Sequence, residues 1–219
     1  MTETAPSVVL VTGASRGLGY AMARALGARG DQVVALARTV GGLEDLADEI
    51  EAAGGPTPTL VPLSITDEGG LQRLCLAIHE RWGKLDLAIH CAAHAAPLSP
   101  VPHTADKDFD QSVEVNLRGT ARLIGLLHPL LAPAGHFVYA ADDRAGQPFF
   151  GAYGATKAAA EALVCSFAAE SGKIGPRVTI LHPAPMPTAL RARFFPGEDP
   201  TRLTPCADEA TRLLDLIPA

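Results

Sequence analysis

A glycine-rich turn near the front of the chain constrains its fold more than any other feature. The stretch Leu10-Val11-Thr12-Gly13-Ala14-Ser15-Arg16-Gly17-Leu18-Gly19 follows an apolar run, Val8 to Val11, that reads as a short buried strand. Behind it, Leu18, Met22, Ala25 and Leu26 recur on one face of a helix. Glycines therefore stand where a strand turns into a helix. Such a turn brings backbone N–H groups close to a phosphate, and the positive end of the helix favours the negative charge. The spacing is Gly-x-x-x-Gly-x-Gly rather than Gly-x-Gly-x-x-Gly, and no Gly-Lys-Ser/Thr follows it, so a nucleoside-triphosphate loop is excluded. Gly13, Ser15, Arg16, Gly17, Leu18 and Gly19 are the candidate phosphate-side contacts.

The remaining pattern alternates strand and helix, which predicts a single doubly wound parallel α/β sheet with helices on both faces, Rossmann-like, over 1–219. The strands are expected at Gln32 to Leu36, Leu60 to Leu63, Leu85 to Cys91, His136 to Ala141 and Val178 to Leu181. A long helix is expected over 106–131, another over 153–170 and a last amphipathic one over 208–217. No seventh strand is evident before the end of the sequence. A content of 47% hydrophobic and 19% charged residues suits a sheet covered on both faces. A net charge of −6 argues against nucleic acid and acidic membrane as partners. No apolar run reaches the length of a membrane span, and the N-terminus shows no export pattern. Four scattered cysteines lack C-x-x-C spacing and read as free thiols, which fits a reducing cytoplasm. No metal-ligand spacing is present, and His94, His103 and His182 receive no role.

With these elements placed, four segments resemble the short-chain dehydrogenase/reductase family. They are Thr12-Gly13-x-x-x-Gly17-x-Gly19, the strand ending His90-Cys91-Ala92-Ala93, Val115-Asn116-Leu117-Arg118-Gly119-Thr120, and Tyr153-Gly154-Ala155-Thr156-Lys157. Pro183-Ala184-Pro185-Met186-Pro187-Thr188 adds a weaker match. The resemblance implies strand order 3-2-1-4-5-6 and a nicotinamide dinucleotide held at Cys91, Ala92, Lys157, Pro183 and Thr188 as well as at the glycine turn. It implies catalysis by Tyr153, Lys157 and Asn116, the asparagine acting through a water beside the lysine. The expected reaction is hydride transfer between the dinucleotide and a carbonyl or alcohol, with Tyr153 giving or taking the proton.

Tyr153 and Lys157 lie four apart on a helix and leave the same face. A free tyrosine has a pKa near ~10; a nearby ammonium together with an oxidised nicotinamide ring favours the phenolate. One departure stands out. The family carries a serine at the end of the fifth strand, but no serine or threonine occurs between Val138 and Tyr153. Ala141 or Asp142 takes its place. Losing one oxyanion donor typically costs ~10²–10³ in turnover. The alternative reading is therefore a catalytically impaired nucleotide-binding protein, a sensor or structural subunit.

Ala37 and Arg38 follow the second strand, where NAD-binding folds place a carboxylate for the ribose, and the next carboxylate is Glu44. Arg38 and Arg16 together favour NADP(H) over NAD(H), since a phosphate monoester carries about −1.5 to −2 charge. Ser64 is expected near the adenine. His90 reads as a satisfied structural histidine, with a hydrogen bond bracing the cofactor strand as the alternative. Homodimerisation is expected through the 106–131 and 153–170 helices, with Leu117, Ile124, Ala162 and Phe167 as contact positions. The 191–204 stretch is expected to form a substrate lid with Phe194 and Phe195 lining an apolar pocket.

Overall fold

Both faces of the first strand are apolar, and this sets the architecture. In β1 (Val8–Thr12) all five residues are buried. Val9 and Val11 enter one core layer, while Val8 and Leu10 enter the other. That two-residue alternation needs cover on each side of the sheet. The computed structural model of the chain describes residues 6–131, 133–172 and 174–217. Its six strands form one parallel sheet in the order β3-β2-β1-β4-β5-β6. The others are β2 (Gln32–Ala37), β3 (Thr59–Pro62), β4 (Leu87–His90), β5 (His136–Ala140) and β6 (Arg177–Leu181).

One layer is built by α1 (Gly17–Ala28), α2 (Val40–Ala52) and α8 (Cys206–Leu214), whose Met22, Leu26, Leu46, Ile50 and Leu213 pack on Val9, Val11 and Val33. The other layer is built by α3 (Glu68–Trp82), α5 (Gly119–Leu131) and α6 (Gly151–Ser171), whose Leu71, Leu127 and Val164 pack on Leu10, Val34 and Phe137. Chain order reverses between β1 and β4, so a crevice opens beyond the carboxyl ends of these strands, the usual place for a ligand in such sheets.

The structure differs locally from the sequence expectation at four places. β4 begins at Leu87, because the Leu85 amide donates to the Leu130 carbonyl instead of joining the ladder. The helix expected over 106–131 runs as α4 (Asp106–Ser112), a π turn over Val113–Arg118, and α5. A six-residue helix, α7 (Ala189–Phe194), occupies the start of the expected lid, capped by the Thr188 side chain accepting from the Arg191 amide. The last helix starts at Cys206, two residues before the expected Asp208.

Candidate active site

The loops at the carboxyl ends of the strands enclose a cleft of about 410 Å³. Every residue expected from sequence to bind the cofactor lines it: Gly13, Ser15, Arg16, Gly17, Leu18, Gly19, Arg38, Ser64, Cys91, Ala92, Lys157, Pro183 and Thr188. The glycine turn is tight for steric reasons. Gly13 has φ 74°, and a Cβ on it would lie 2.9 Å from the Ala92 amide nitrogen. A Cβ on Gly19 would lie 2.5 Å from the Gly13 carbonyl oxygen. No side chain caps the start of α1, and its first turn holds no acidic residue. Its leading amides, at Gly17, Leu18 and Gly19, are thus left to an anion in the cleft. Arg16 and Arg38 are exposed at the same end, and neither has an ion pair among the described residues. An anionic dinucleotide fits these groups.

Beneath the turn, three polar side chains form a chain of one sense. Thr120 Oγ1 donates to the Asn116 carbonyl (2.7 Å), so it must accept from His90 Nε2 (3.0 Å). His90 Nδ1 then carries no hydrogen and accepts from Thr12 Oγ1 (2.7 Å). Thr12 Oγ1 in turn accepts from the Ala92 amide (3.3 Å). The neutral Nε2–H tautomer satisfies all five groups. Burial, with a contribution from charged Lys157, pushes the His90 pKa down to about 3. His90 is thus a fully bonded structural imidazole tying β1 and β4 to the π turn.

The opposite end of the cleft is chemical. Tyr153 and Lys157 emerge from α6 at 3% and 5% exposure, and both line the cleft. Lys157 Nζ donates to the Ala140 carbonyl (2.6 Å) and stands 4.2 Å from the Tyr139 ring centroid. Burial lowers its pKa to about 8 against the opposing charges of Asp142 and Glu161. Of the two candidates for the missing serine, Ala141 offers no polar atom, and Asp142 reaches the phenol: Tyr153 Oη donates to its Oδ2 at 2.8 Å. The other oxygen, Oδ1, lies 3.4 Å from Arg144 Nε. The sequence pointed to a lowered phenol pKa, from Lys157 and an oxidised nicotinamide together. Within the chain alone the direction is upward: burial, then the charge and hydrogen bond of Asp142, hold Tyr153 well above the ordinary tyrosine range.

Asn116 lies outside the cleft lining. Its Oδ1 accepts from the His94 amide (2.7 Å), and its Nδ2 donates to the His94 carbonyl (3.0 Å) and to Thr156 Oγ1 (3.0 Å). It positions the His94 loop and the face of α6 that carries Tyr153 and Lys157. The Ser64 hydroxyl bonds locally to Thr66, and the Thr188 hydroxyl is used in capping α7. Of the positions named for a dimer contact, Phe167 is buried in the chain's own core, Leu117 and Ile124 are partly buried against it, and Ala162 is exposed.

Phe194 and Phe195 line the cleft as expected. The Phe194 ring centroid lies 4.9 Å from those of both Tyr153 and Phe150. Sequence reading missed Phe150, Arg144, Arg193 and His94. Burial, Arg193 and Arg38 together push the His94 pKa down, so those two arginines act on one region of the cleft. Thr188, a good helix cap, was the available signal for α7 and its arginines; Phe150 and Arg144 are gathered only by tertiary packing. Arg144 stands 5.5 Å from the Phe150 ring centroid and 5.2 Å from that of Phe195.

Residues 7–199 match the short chain dehydrogenase family. The chain belongs to that family. The uncharacterized oxidoreductase YciK of Escherichia coli is 32% identical over 208 residues, covering 92% of this chain and 82% of that protein. Mouse L-fucose dehydrogenase is 32% identical over 87% of this chain and 69% of its own length. Among solved structures, a short chain dehydrogenase from Shigella flexneri complexed with NADP superposes with TM-score 0.86 at 30% identity, covering 92% of this chain and 87% of that one. An Escherichia coli short chain dehydrogenase complexed with NADPH gives TM-score 0.88 at 30% identity, covering 95% and 89%. Short-chain dehydrogenases are oxidoreductases, and no helix among the described residues is long and apolar enough to cross a membrane.

Proposed function

We propose that this short-chain dehydrogenase is an NADP(H)-dependent oxidoreductase that moves a hydride between the dinucleotide and a small organic substrate, with Tyr153 exchanging the proton. One observation carries the reading. A single cleft presents free arginines and uncapped helix amides at one end, and the Tyr153–Lys157 pair at the other. Gly13 to Gly19 would hold the diphosphate, and Arg16 and Arg38 the ribose phosphate. Cys91, Ala92, Pro183 and Thr188 would wall the nicotinamide half. When bound, the reduced dinucleotide supplies a hydride to an electrophilic carbon, the simplest such carbon being a carbonyl. Tyr153 Oη, fully protonated at neutral pH by the direction of its shift, gives its hydrogen to the atom that gains electrons. Lys157, anchored on Ala140, fixes positive charge behind it. Phe194 and Phe195, backed by Phe150, exclude water from that end.

The test is a fluorescence titration with NADPH and NADH on the intact chain. A charge-assisted contact to the extra phosphate contributes ~1.5–3 kcal/mol, so NADPH is expected to bind at least ~10-fold more tightly. Equal affinities would remove the arginine argument. The runner-up, a nucleotide-binding protein without turnover, is favoured by the bond that ties Tyr153 to Asp142 where relatives carry a serine. It predicts NADPH binding with no consumption against any acceptor. The assembly we propose is a homodimer through 106–131 and 153–170, supported by exposed Ala162 and half-buried Leu117 and Ile124 on those helices; sedimentation tests it.

A further inference from the structure

The single hydrogen of the Tyr153 hydroxyl is donated to Asp142 Oδ2, so a reacting atom must draw it away from a carboxylate and meets an acceptor beside it, not a second donor. The acceptor is Asp142 Oδ2, 2.8 Å from Tyr153 Oη, and Arg144 Nε stands 3.4 Å from the other carboxylate oxygen as an ion pair without a hydrogen bond. No serine or threonine between Val138 and Tyr153 supplies a second donor. A carbonyl oxygen carries lone pairs only, and it grows more negative as hydride reaches its carbon. The carboxylate opposes that change at close range, in a site where charges are weakly screened. A carbon–nitrogen double bond behaves the other way. Its nitrogen is basic; once it takes a proton it becomes an N–H donor and, before reduction, a cation. Both properties are complementary to Asp142. The wall of Phe194 and Phe195, with Phe150 packed against both rings, suits an apolar or aromatic body carrying that bond.

We infer that the bond reduced in this cleft is C=N, in an imine or iminium whose nitrogen sits between Tyr153 and Asp142. This rests on the reductase reading above and narrows it. In the step, the imine carbon gains the hydride and the reduced nicotinamide dinucleotide leaves oxidised. The C=N π pair becomes an N–H bond to the proton released by Tyr153, which solvent then restores. An iminium arrives with that proton already in place. Either way the product is an amine whose N–H donates to Asp142, so Asp142 acts as the selector between nitrogen and oxygen.

The experiment measures NADPH consumption with dihydroisoquinoline and with its ketone counterpart, tetralone, in the wild type and in Asp142→Ser. The wild type is expected to prefer the imine, and the serine, by restoring a donor, to lower the imine-to-ketone rate ratio by ~100-fold or more. Calorimetry supplies a readout apart from turnover. Tetrahydroisoquinoline should bind the wild-type chain in the presence of NADP+, and Asp142→Asn, which keeps the shape, should weaken that binding ~10-fold or more while leaving tetralol unaffected. A ratio unmoved by Asp142→Ser, or amine binding unmoved by Asp142→Asn, overturns the inference. Consumption of tetralone without dihydroisoquinoline overturns it too, and leaves the reductase reading standing. Consumption of neither compound overturns both.

Discussion

One end of the cleft is shaped by backbone around Gly13, Gly17 and Gly19; the other is shaped by three side chains, Asp142, Tyr153 and Lys157. The backbone end tolerates almost no alteration, because a single Cβ on Gly19 meets the Gly13 carbonyl. The side-chain end is open to change one atom group at a time. Replacing a hydroxyl by a carboxylate leaves Tyr153 and Lys157 in place, yet reverses the hydrogen-bonding sense of what faces the substrate. A family resemblance therefore transfers securely to the first end and only provisionally to the second.

Four substitutions sharpen that contrast, and the largest effect belongs to the chemical end. Tyr153→Phe removes the proton donor and is expected to lower turnover by about 10³-fold while NADPH affinity is retained, measured by steady-state rates beside a fluorescence titration. Loss of binding together with rate would dissolve the division between the two ends.

Next is Lys157→Met. The Lys157 pKa falls from 10.5 to about 8 through burial, so between those values the unfolded chain holds a proton that the folded chain does not. Stability from this group is therefore present above 10.5 and lost as pH falls through about 8. The wild type should gain up to roughly 3 kcal/mol relative to Lys157→Met as pH rises across that window, read by urea unfolding. A flat difference would mean the ammonium carries no burial cost.

Gly19→Ala forces a methyl group against the backbone. It should cost roughly 1–3 kcal/mol in unfolding free energy and weaken NADPH at least ~10-fold. Normal binding in this variant would break the argument that backbone shape specifies the dinucleotide end. Arg38→Ala has the smallest expected effect, a loss of roughly 10-fold in NADPH affinity with NADH unchanged. An equal loss for both dinucleotides would reassign Arg38 to the shared part of the ligand.

The legibility of the sequence follows the same line. The doubly wound sheet, its cover on both faces and the glycine turn were readable because they depend on periodicity and on residues without side chains, whereas the strand order was what the family resemblance implied. The π turn over Val113–Arg118 was not, since a single additional residue per turn leaves the apolar pattern of a long helix nearly intact. Nor could the sequence choose between Ala141 and Asp142, because the last residue of β5 and the sweep of the following loop decide which side chain enters the cleft. The commitment of Asn116 to the His94 loop depends on a contact across 22 positions that no local motif records.

The one-sense run of bonds through Thr12, His90 and Thr120 has a consequence for how this protein meets acid. Each member already spends its single hydrogen in the same direction, so a further proton is taken only at His90 Nδ1, and only when the Thr12 hydroxyl turns away. The run fails only when the His90 imidazole is forced to charge, in the interval from its ordinary 6.5 down to about 3. The floor under the glycine turn would then come apart from within, at a ring that touches neither solvent nor substrate.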